Sequence, residues 1–345
     1  MRLLLIKTSS MGDLLHTLPA LTDARQAVKG LECRWVAEES FAQIPLWHPV
    51  VKEVIPVAWR RWRKDLASPR SRGEIGRFMA QLRQEPHDLA LDAQGLIKSA
   101  VITGIAGGVR AGPDFHSARE PLAALFYNRR HPSPKGPHAV HRLRRLFAEA
   151  LGYSLPETPP DYGIDPGRFD AVPAEEGAFV FLHGTTWRTK QWPQRFWREL
   201  AGMVAKAGSV VIPWGSEGEK IRAEHIAAVN PEKCRVLPRM DIEGLAAILL
   251  KARGVVAADT GPGHLAAALG VPTVNLYGPT SPALTGTVGN HQVHLTGSCP
   301  DAPCLKKKCP FPPVEDLHPP CFETLHPEQV WQQLQACTDR SNHPH

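Results

Sequence analysis

No run of apolar residues in this 345-residue chain approaches 18, so nothing in it reads as a transmembrane helix. The apolar run at the start, residues 3–6, is four residues long, has no small-residue cleavage site and gives way to polar residues, so no secretory leader is expected. The expected location is therefore the cytoplasm, where the seven cysteines should be thiols. Two nucleotide signatures are missing as well. No G-x-G-x-x-G follows either opening strand, which argues against a nicotinamide or flavin enzyme, and no G-x-x-x-x-G-K-[ST] occurs, which excludes a phosphate-loop NTPase. Repeats, low-complexity tracts and nucleic-acid fold signatures are absent, and no nucleic-acid partner is expected.

What is present suits two domains. The length is too great for one ordinary domain, and 43% hydrophobic with 21% charged residues is normal for a soluble globular chain. In the first half, apolar stretches at 2–6, 33–36, 53–56, 89–92 and 108–111 read as strands, with helices at 13–29, 74–84, 97–105 and 138–151. Pro19 sits about two turns into the first helix and predicts a kink or a late start. The pattern restarts after a Pro/Gly-rich stretch, with strands at 178–182, 209–213, 235–238, 254–258 and 273–277, and helices at 194–207, 242–252, 263–269 and 326–337. Buried strands alternating with helices predict an α/β fold of two doubly wound, Rossmann-like domains facing across a cleft. The expected boundaries are 1–160, a linker at 161–176, 177–325, and a closing helix and tail at 326–345.

Four segments carry chemistry. In "KTSSMGDLLHTLPAL" (7–21) a carboxylate, Asp13, stands where the first strand gives way to a helix. It reads either as a helix cap or as a group facing a ligand at the carboxyl end of a strand. "WRRWRKDLASPRSR" (59–72) interleaves Arg60, Arg61, Arg63, Lys64, Arg70 and Arg72 with Trp59 and Trp62, a pattern suited to gripping carboxylates or phosphates. It contributes to an excess in residues 1–160, which hold 23 Lys/Arg against 15 Asp/Glu. "HGTTWRTKQWP" (183–193) offers Thr185 and Thr186 hydroxyls and the Lys190 charge, and "AADTGPGHLAAALG" (257–270) opens a helix after Asp259, Thr260 and Gly261. Together these two loops suggest a nucleotide diphosphate bound at helix N-termini without a bridging metal.

These segments, with "DAQGLIKSA", "AREPLAALFYNRRH", "WGSEGE", "LPRMDIEG" and "LYGPT", resemble glycosyltransferase family 9 in its heptosyltransferase I group, in order from residue 1 to about 285. The resemblance implies a two-domain GT-B glycosyltransferase that moves heptose from ADP-heptose onto a Kdo sugar of Kdo2-lipid A, inverts the anomeric centre and needs no further cofactor. It also implies peripheral contact with the cytoplasmic face of the inner membrane. By the same resemblance Asp13 is the catalytic base, assisted by Lys190. Thr185, Thr186, Lys190, Asp259, Thr260, Gly261 and His264 contact the donor phosphates, Glu219 and Met240 surround the adenosine, and Arg60, Arg63, Lys64 and Lys98 bind the acceptor. Another family 9 transferase with a different acceptor, a nucleotide-sugar epimerase of the same two-domain fold, and a non-catalytic nucleotide-sugar binder stay open as alternatives.

One segment departs from that group. Cys299, Cys304, Cys309 and Cys321 are spaced x4, x4 and x11 and look more like the heptosyltransferase II branch. The spacing permits a tetrahedral metal without demanding one, and free or paired thiols are the expectation. Trp187, Trp192 and Trp197 are expected in loop and core packing, with Trp187 near the donor loop, Cys33, Cys234 and Cys337 as small core or surface residues, and His343 and His345 in a disordered tail.

Overall fold

The structure, a computed structural model, describes residues 1–172, 174–312 and 318–342, so the expectation for His343 and His345 falls outside the described residues. Two compact units divide the chain, Met1–Asp165 and the remainder from Pro166.

Unit 1 runs β1 (Arg2–Ile6), α1 (Met11–Leu15), α2 (Leu18–Ala27), β2 (Glu32–Glu38), β3 (Val51–Val57), α3 (Trp59–Trp62), α4 (Pro69–Gln84), β4 (Leu89–Asp92), α5 (Ile97–Ala106), β5 (Arg110–Pro113), β6 (Arg129–His131) and α6 (Ala139–Leu151). Its strands form one parallel sheet in the order β3-β2-β1-β4-β5-β6. Leu3 to Ile6 are buried in full, as a central parallel strand covered on both faces requires. The chain winds outward from β1 in one direction and from β4 in the other, so the loops after these two strands meet at the topological switch point, where open α/β sheets bind ligands.

The helix expected over 13–29 is two helices. Pro19 has no N–H to continue the first, and the Thr17 hydroxyl instead donates to the Asp13 carbonyl at 2.8 Å across the break. Helix α4 starts five residues before the expected 74, because Ser68 caps it, accepting from the Ser71 N–H at 3.2 Å, and Pro69 fills the first helical position.

Unit 2 comprises β7 (Phe179–Leu182), α7 (Gln194–Val204), β8 (Val210–Ile212), α8 (Glu217–Ala227), β9 (Cys234–Val236), α9 (Ile242–Leu250), β10 (Gly254–Ala258), α10 (Gly261–Ala268), β11 (Thr273–Tyr277), α11 (Pro282–Thr285), β12 (Gln292–Thr296) and α12 (Pro327–Asn342). The sheet is again parallel, ordered β12-β11-β10-β7-β8-β9, with β7 and β10 as the switch pair. Trp192 and Trp197 meet edge to face at 5.1 Å in the core beside Phe181, and Val330 and Leu334 seat α12 on the same core. The sequence reading had no strand at β6 or β12 and no helix at α8. The first is a three-residue Arg-Arg-His edge strand with no apolar signal, and β12 alternates only half-buried positions.

Candidate active site

In unit 1 the switch point is built by two loops locked together. The Gln94 side chain, just after β4, accepts from the Thr8 and Ser9 N–H groups at 3.0 and 3.3 Å and donates to the Ser9 carbonyl at 2.8 Å. The Asp92 carboxylate, wholly buried, shapes that second loop by accepting from the Gln94 and Gly95 N–H groups and from the Tyr127 hydroxyl at 2.6 Å. Gly95 itself sits at φ +67°, with the Arg119 nitrogen 3.3 Å from where a Cβ would stand, so only glycine fits there comfortably.

Asp13 makes cap-type contacts without being the cap residue. It is not the N-cap but the third residue of α1, and its Oδ2 accepts from the Ser10 N–H at 2.8 Å and from the Ser10 hydroxyl at 3.2 Å, as in a capping box. Oδ1 is turned toward cations, 3.6 Å from Lys7 Nζ and 3.9 Å from Arg119 Nη1. Burial alone would raise the Asp13 pKa. Lys7, the Ser10 N–H, Arg119 and His16 together outweigh it and hold the carboxyl at about 2. Lys7 is itself buried and donates to the Ala93 carbonyl at 3.0 Å, so its position is fixed. Arg119 lies in the block "AREPLAALFYNRRH" that carries part of the resemblance, but neither it nor Lys7 has a role in the sequence analysis. The signal for Lys7 was a lysine terminating a fully apolar strand.

The basic segment splits into structural and exposed charges. Arg61 bridges Glu39 at 3.0 Å and Glu74 at 2.6 Å, and the Trp62 indole N–H donates to the same Glu74 carboxylate at 2.8 Å. Trp62 is buried against Phe78 at 5.7 Å, so it is no surface platform, in contrast to the expectation; an aromatic beside a helix start serves the core first. Arg60, Arg63 and Lys64 are exposed on α3 and the turn after it, and the buried Glu38 anchors that helix by accepting from the Arg60 N–H at 3.0 Å. Lys98 reaches the Ser9 hydroxyl at 3.4 Å. Burial lowers its pKa, with Arg60 and Arg63 adding to the shift and Glu38 and Asp13 opposing it, which places these groups in one electrostatic neighbourhood.

In unit 2 the loops after β7 and β10 also converge. Asp259 Oδ2 accepts from Lys190 Nζ at 2.8 Å and from the Thr280 hydroxyl at 2.6 Å, while the Thr185 hydroxyl donates to the Asp259 carbonyl at 3.1 Å. Lys190 also lies 4.6 Å above the Trp187 ring, with Lys307 at 5.4 Å, so Trp187 is a platform for two ammonium groups rather than packing alone. Thr186 is exposed at the turn. Helix α10 starts at Gly261 rather than 263. Thr260 is its N-cap residue, and His264 is buried in its first turn. Glu219 lies against Gly184, where a Cβ would come within 2.5 Å of its carboxylate, and it completes a capping box with Ser216 at the start of α8. Met240 lines a cavity with Val180, Val211, Leu237 and Ile248, and the Trp214 indole ties the two turns together by donating to the Leu237 carbonyl at 2.7 Å. Thr280 is the residue here that sequence reasoning missed, although "LYGPT" had been noted.

Cys299, Cys304, Cys309 and Cys321 line one small cavity together with Thr189, whose hydroxyl donates to the Lys306 carbonyl at 3.0 Å. Among the described residues no three His, Cys, Asp or Glu groups are arranged to hold a metal ion. Burial, aided by the other three thiols, pushes the Cys321 thiol up to about 12.

Residues 75–315 match the description of glycosyltransferase family 9 (heptosyltransferase). The lipopolysaccharide heptosyltransferase 1 of Pseudomonas aeruginosa is 53% identical over 349 residues, covering 97% of this chain and 98% of that one. Among solved structures, the E. coli heptosyltransferase WaaC with ADP superimposes with a TM-score of 0.87 at 44% identity, covering 98% of this chain and 100% of that one. The same enzyme with ADP-2-deoxy-2-fluoro heptose gives a TM-score of 0.80 at 48% identity, covering 86% and 94%. With its two parallel six-stranded sheets the fold is GT-B, and the chain belongs to glycosyltransferase family 9, the heptosyltransferases.

Proposed function

We propose that this heptosyltransferase moves heptose from ADP-heptose to a Kdo sugar of Kdo2-lipid A with inversion, as a cytoplasmic enzyme working against the inner membrane. The observation that carries the reading is the charge arrangement at the two switch points: a carboxylate held ionised beside cations after β1, and a lysine beside a helix N-terminus after β7 and β10. No helix among the described residues is long and apolar enough to cross a membrane.

In this reading Asp13 takes the proton of the acceptor hydroxyl as that oxygen bonds to the anomeric carbon. The bond from that carbon to the β-phosphate oxygen breaks on the opposite face, and ADP leaves with the electron pair. Because its pKa is low, Asp13 is a weak base that is always ready, and assistance of this kind contributes about 10²–10⁴-fold. The remainder comes from positioning and from compensating the leaving diphosphate. Lys190, already turned toward Asp259, exchanges that partner for the diphosphate, and the first amides of α10 add their dipoles. Thr185, Thr186, Thr260 and His264 complete the phosphate contacts, and Glu219 and Met240 hold the adenosine. Arg60, Arg63, Lys64 and Lys98 take the acceptor's carboxylates and phosphates, forked guanidinium groups being suited to both.

The test is incubation of purified protein with ADP-heptose and Kdo2-lipid A, with products read by mass. One added heptose and one released ADP per acceptor is expected. Conversion of the free donor with no acceptor present would favour an epimerase, and ADP binding with no product in either reaction would favour a non-catalytic binder.

A further inference from the structure

Unit 1 carries an apolar face that its core does not explain. Residues Pro121–Phe126 form a 3₁₀ helix, in which side chains three apart eclipse one another. Ala123 and Ala124 are buried, while Leu122 and Leu125 share the outer side and are 60% and 61% exposed. On the neighbouring α5, Ile97 and Val101 stand four residues apart on one helix face and are 40% and 36% exposed. The two elements pack together: Phe126 fills the space at Gly104, and the Glu120 carboxylate accepts from the Ile97 N–H at 2.6 Å. Four large aliphatic side chains are thus gathered on adjoining elements and turned to water, which is unusual without a partner.

The rim is net cationic, its Glu120 carboxylate being engaged by the Ile97 N–H. Arg130 is fastened to the 3₁₀ helix by donating from Nε to the Ala124 carbonyl at 2.7 Å, with the exposed Arg129 beside it. Lys98 follows Ile97 and Arg119 lies two residues before the 3₁₀ helix, and these are the groups that face the Ser9 hydroxyl and Asp13. An aliphatic centre with a basic rim complements an anionic lipid surface, where apolar side chains enter the acyl boundary and each basic residue is drawn to the headgroups.

We propose that Ile97, Val101, Leu122 and Leu125 are the foot by which unit 1 dips into an anionic lipid surface, beside the acceptor end of the site. This rests on the lipid-borne acceptor of the proposed function: with the foot inserted, the acceptor's sugar rises to Asp13 while its acyl chains stay in the bilayer.

The experiment compares wild-type protein with a Leu122→Asp/Leu125→Asp variant, and with Ile97→Ser/Val101→Ser as a milder second variant, each checked for an unchanged melting temperature. Co-sedimentation is measured with phosphatidylethanolamine/phosphatidylglycerol vesicles and with neutral phosphatidylcholine vesicles. Transfer is measured to acceptor embedded in the anionic vesicles and to a deacylated, water-soluble acceptor. Wild-type protein should bind the anionic vesicles preferentially. The aspartate variant should lose about tenfold or more of that binding and a similar factor in kcat/KM on the embedded acceptor, with transfer to the soluble acceptor unchanged. Unchanged vesicle binding would overturn the proposal. So would equal loss on both acceptors, or a wild-type dimer that the substitutions dissolve, since the face would then serve the acceptor site or a second copy of the chain. If wild-type protein transferred to neither acceptor, the functional reading would fail, and the vesicle comparison would still decide the role of this face.

Discussion

Lys7 and Asp13 form an ion pair at the end of the central strand of unit 1, with Nζ 3.6 Å from Oδ1 and the lysine buried. The consequence is chemical: removing the ammonium leaves the carboxylate with burial unopposed by its strongest partner. Lys7→Met should therefore raise the Asp13 pKa and move the acid limb of the kcat/KM profile to higher pH, whereas wild-type protein should show no loss from Asp13 protonation until far below neutrality. The full pH profile of both proteins checks this. A uniform loss of activity with an unmoved limb would reduce Lys7 to a structural role.

On the donor side, Lys190→Ala should lower kcat by about 10²–10³-fold, the scale of losing one preorganised group at developing charge. Thr280→Val removes the 2.6 Å hydrogen bond that fixes Asp259 and should raise the donor KM by about tenfold, with Thr280→Ser restoring it. Steady-state kinetics in ADP-heptose separate the two. If Thr280→Ser failed to rescue, the hydroxyl would not be the acting group.

Exchanging Arg60 and Arg63 for alanine should raise the acceptor KM and steepen neither the salt dependence nor the cost of donor binding. Both side chains are exposed, and α3, which carries Arg60 and leads into Arg63, stays anchored through the Arg60 backbone N–H, so ADP affinity by calorimetry should be unchanged. By contrast Arg61→Ala, which breaks the Glu39 and Glu74 bridges, should lower the melting temperature more than it affects the acceptor KM.

Two buried histidines give the fold an acid weakness. Burial, with Arg25 nearby, lowers the His48 pKa from 6.5 to about 4, and burial beside Arg222 does the same for His183. The unfolded chain takes up these protons first, so their contribution to stability is complete above pH 6.5 and falls as the pH drops toward 4. The loss is up to about 3 kcal/mol for each group. Thermal melts between pH 7.5 and 4.5 should show the decline, and His48→Asn should flatten it even if it lowers the plateau.

Much of this was legible in the residues because buried parallel strands leave continuous apolar runs: β1, β4, β10 and β11 fall where the runs lie. Polar edge strands such as β6 carry no such run and were missed. Helix α8 could have been found from the Ser216–Glu219 capping-box spacing. In the site, loop residues at strand ends were visible as chemistry out of place, but Thr280 and Arg119 depend on which loops the winding brings together, and local pattern does not report that. Trp62 and Trp187 illustrate the same limit, since an aromatic among cations is core in one case and platform in the other.

The most direct measurement is the Asp13→Asn variant, assayed in parallel for heptose transfer and for ADP binding by calorimetry. Transfer should fall by about 10²-fold or more while ADP affinity stays within a factor of two of wild type. A variant that kept transfer, or one that lost ADP binding in proportion to transfer, would contradict the role of Asp13 as base.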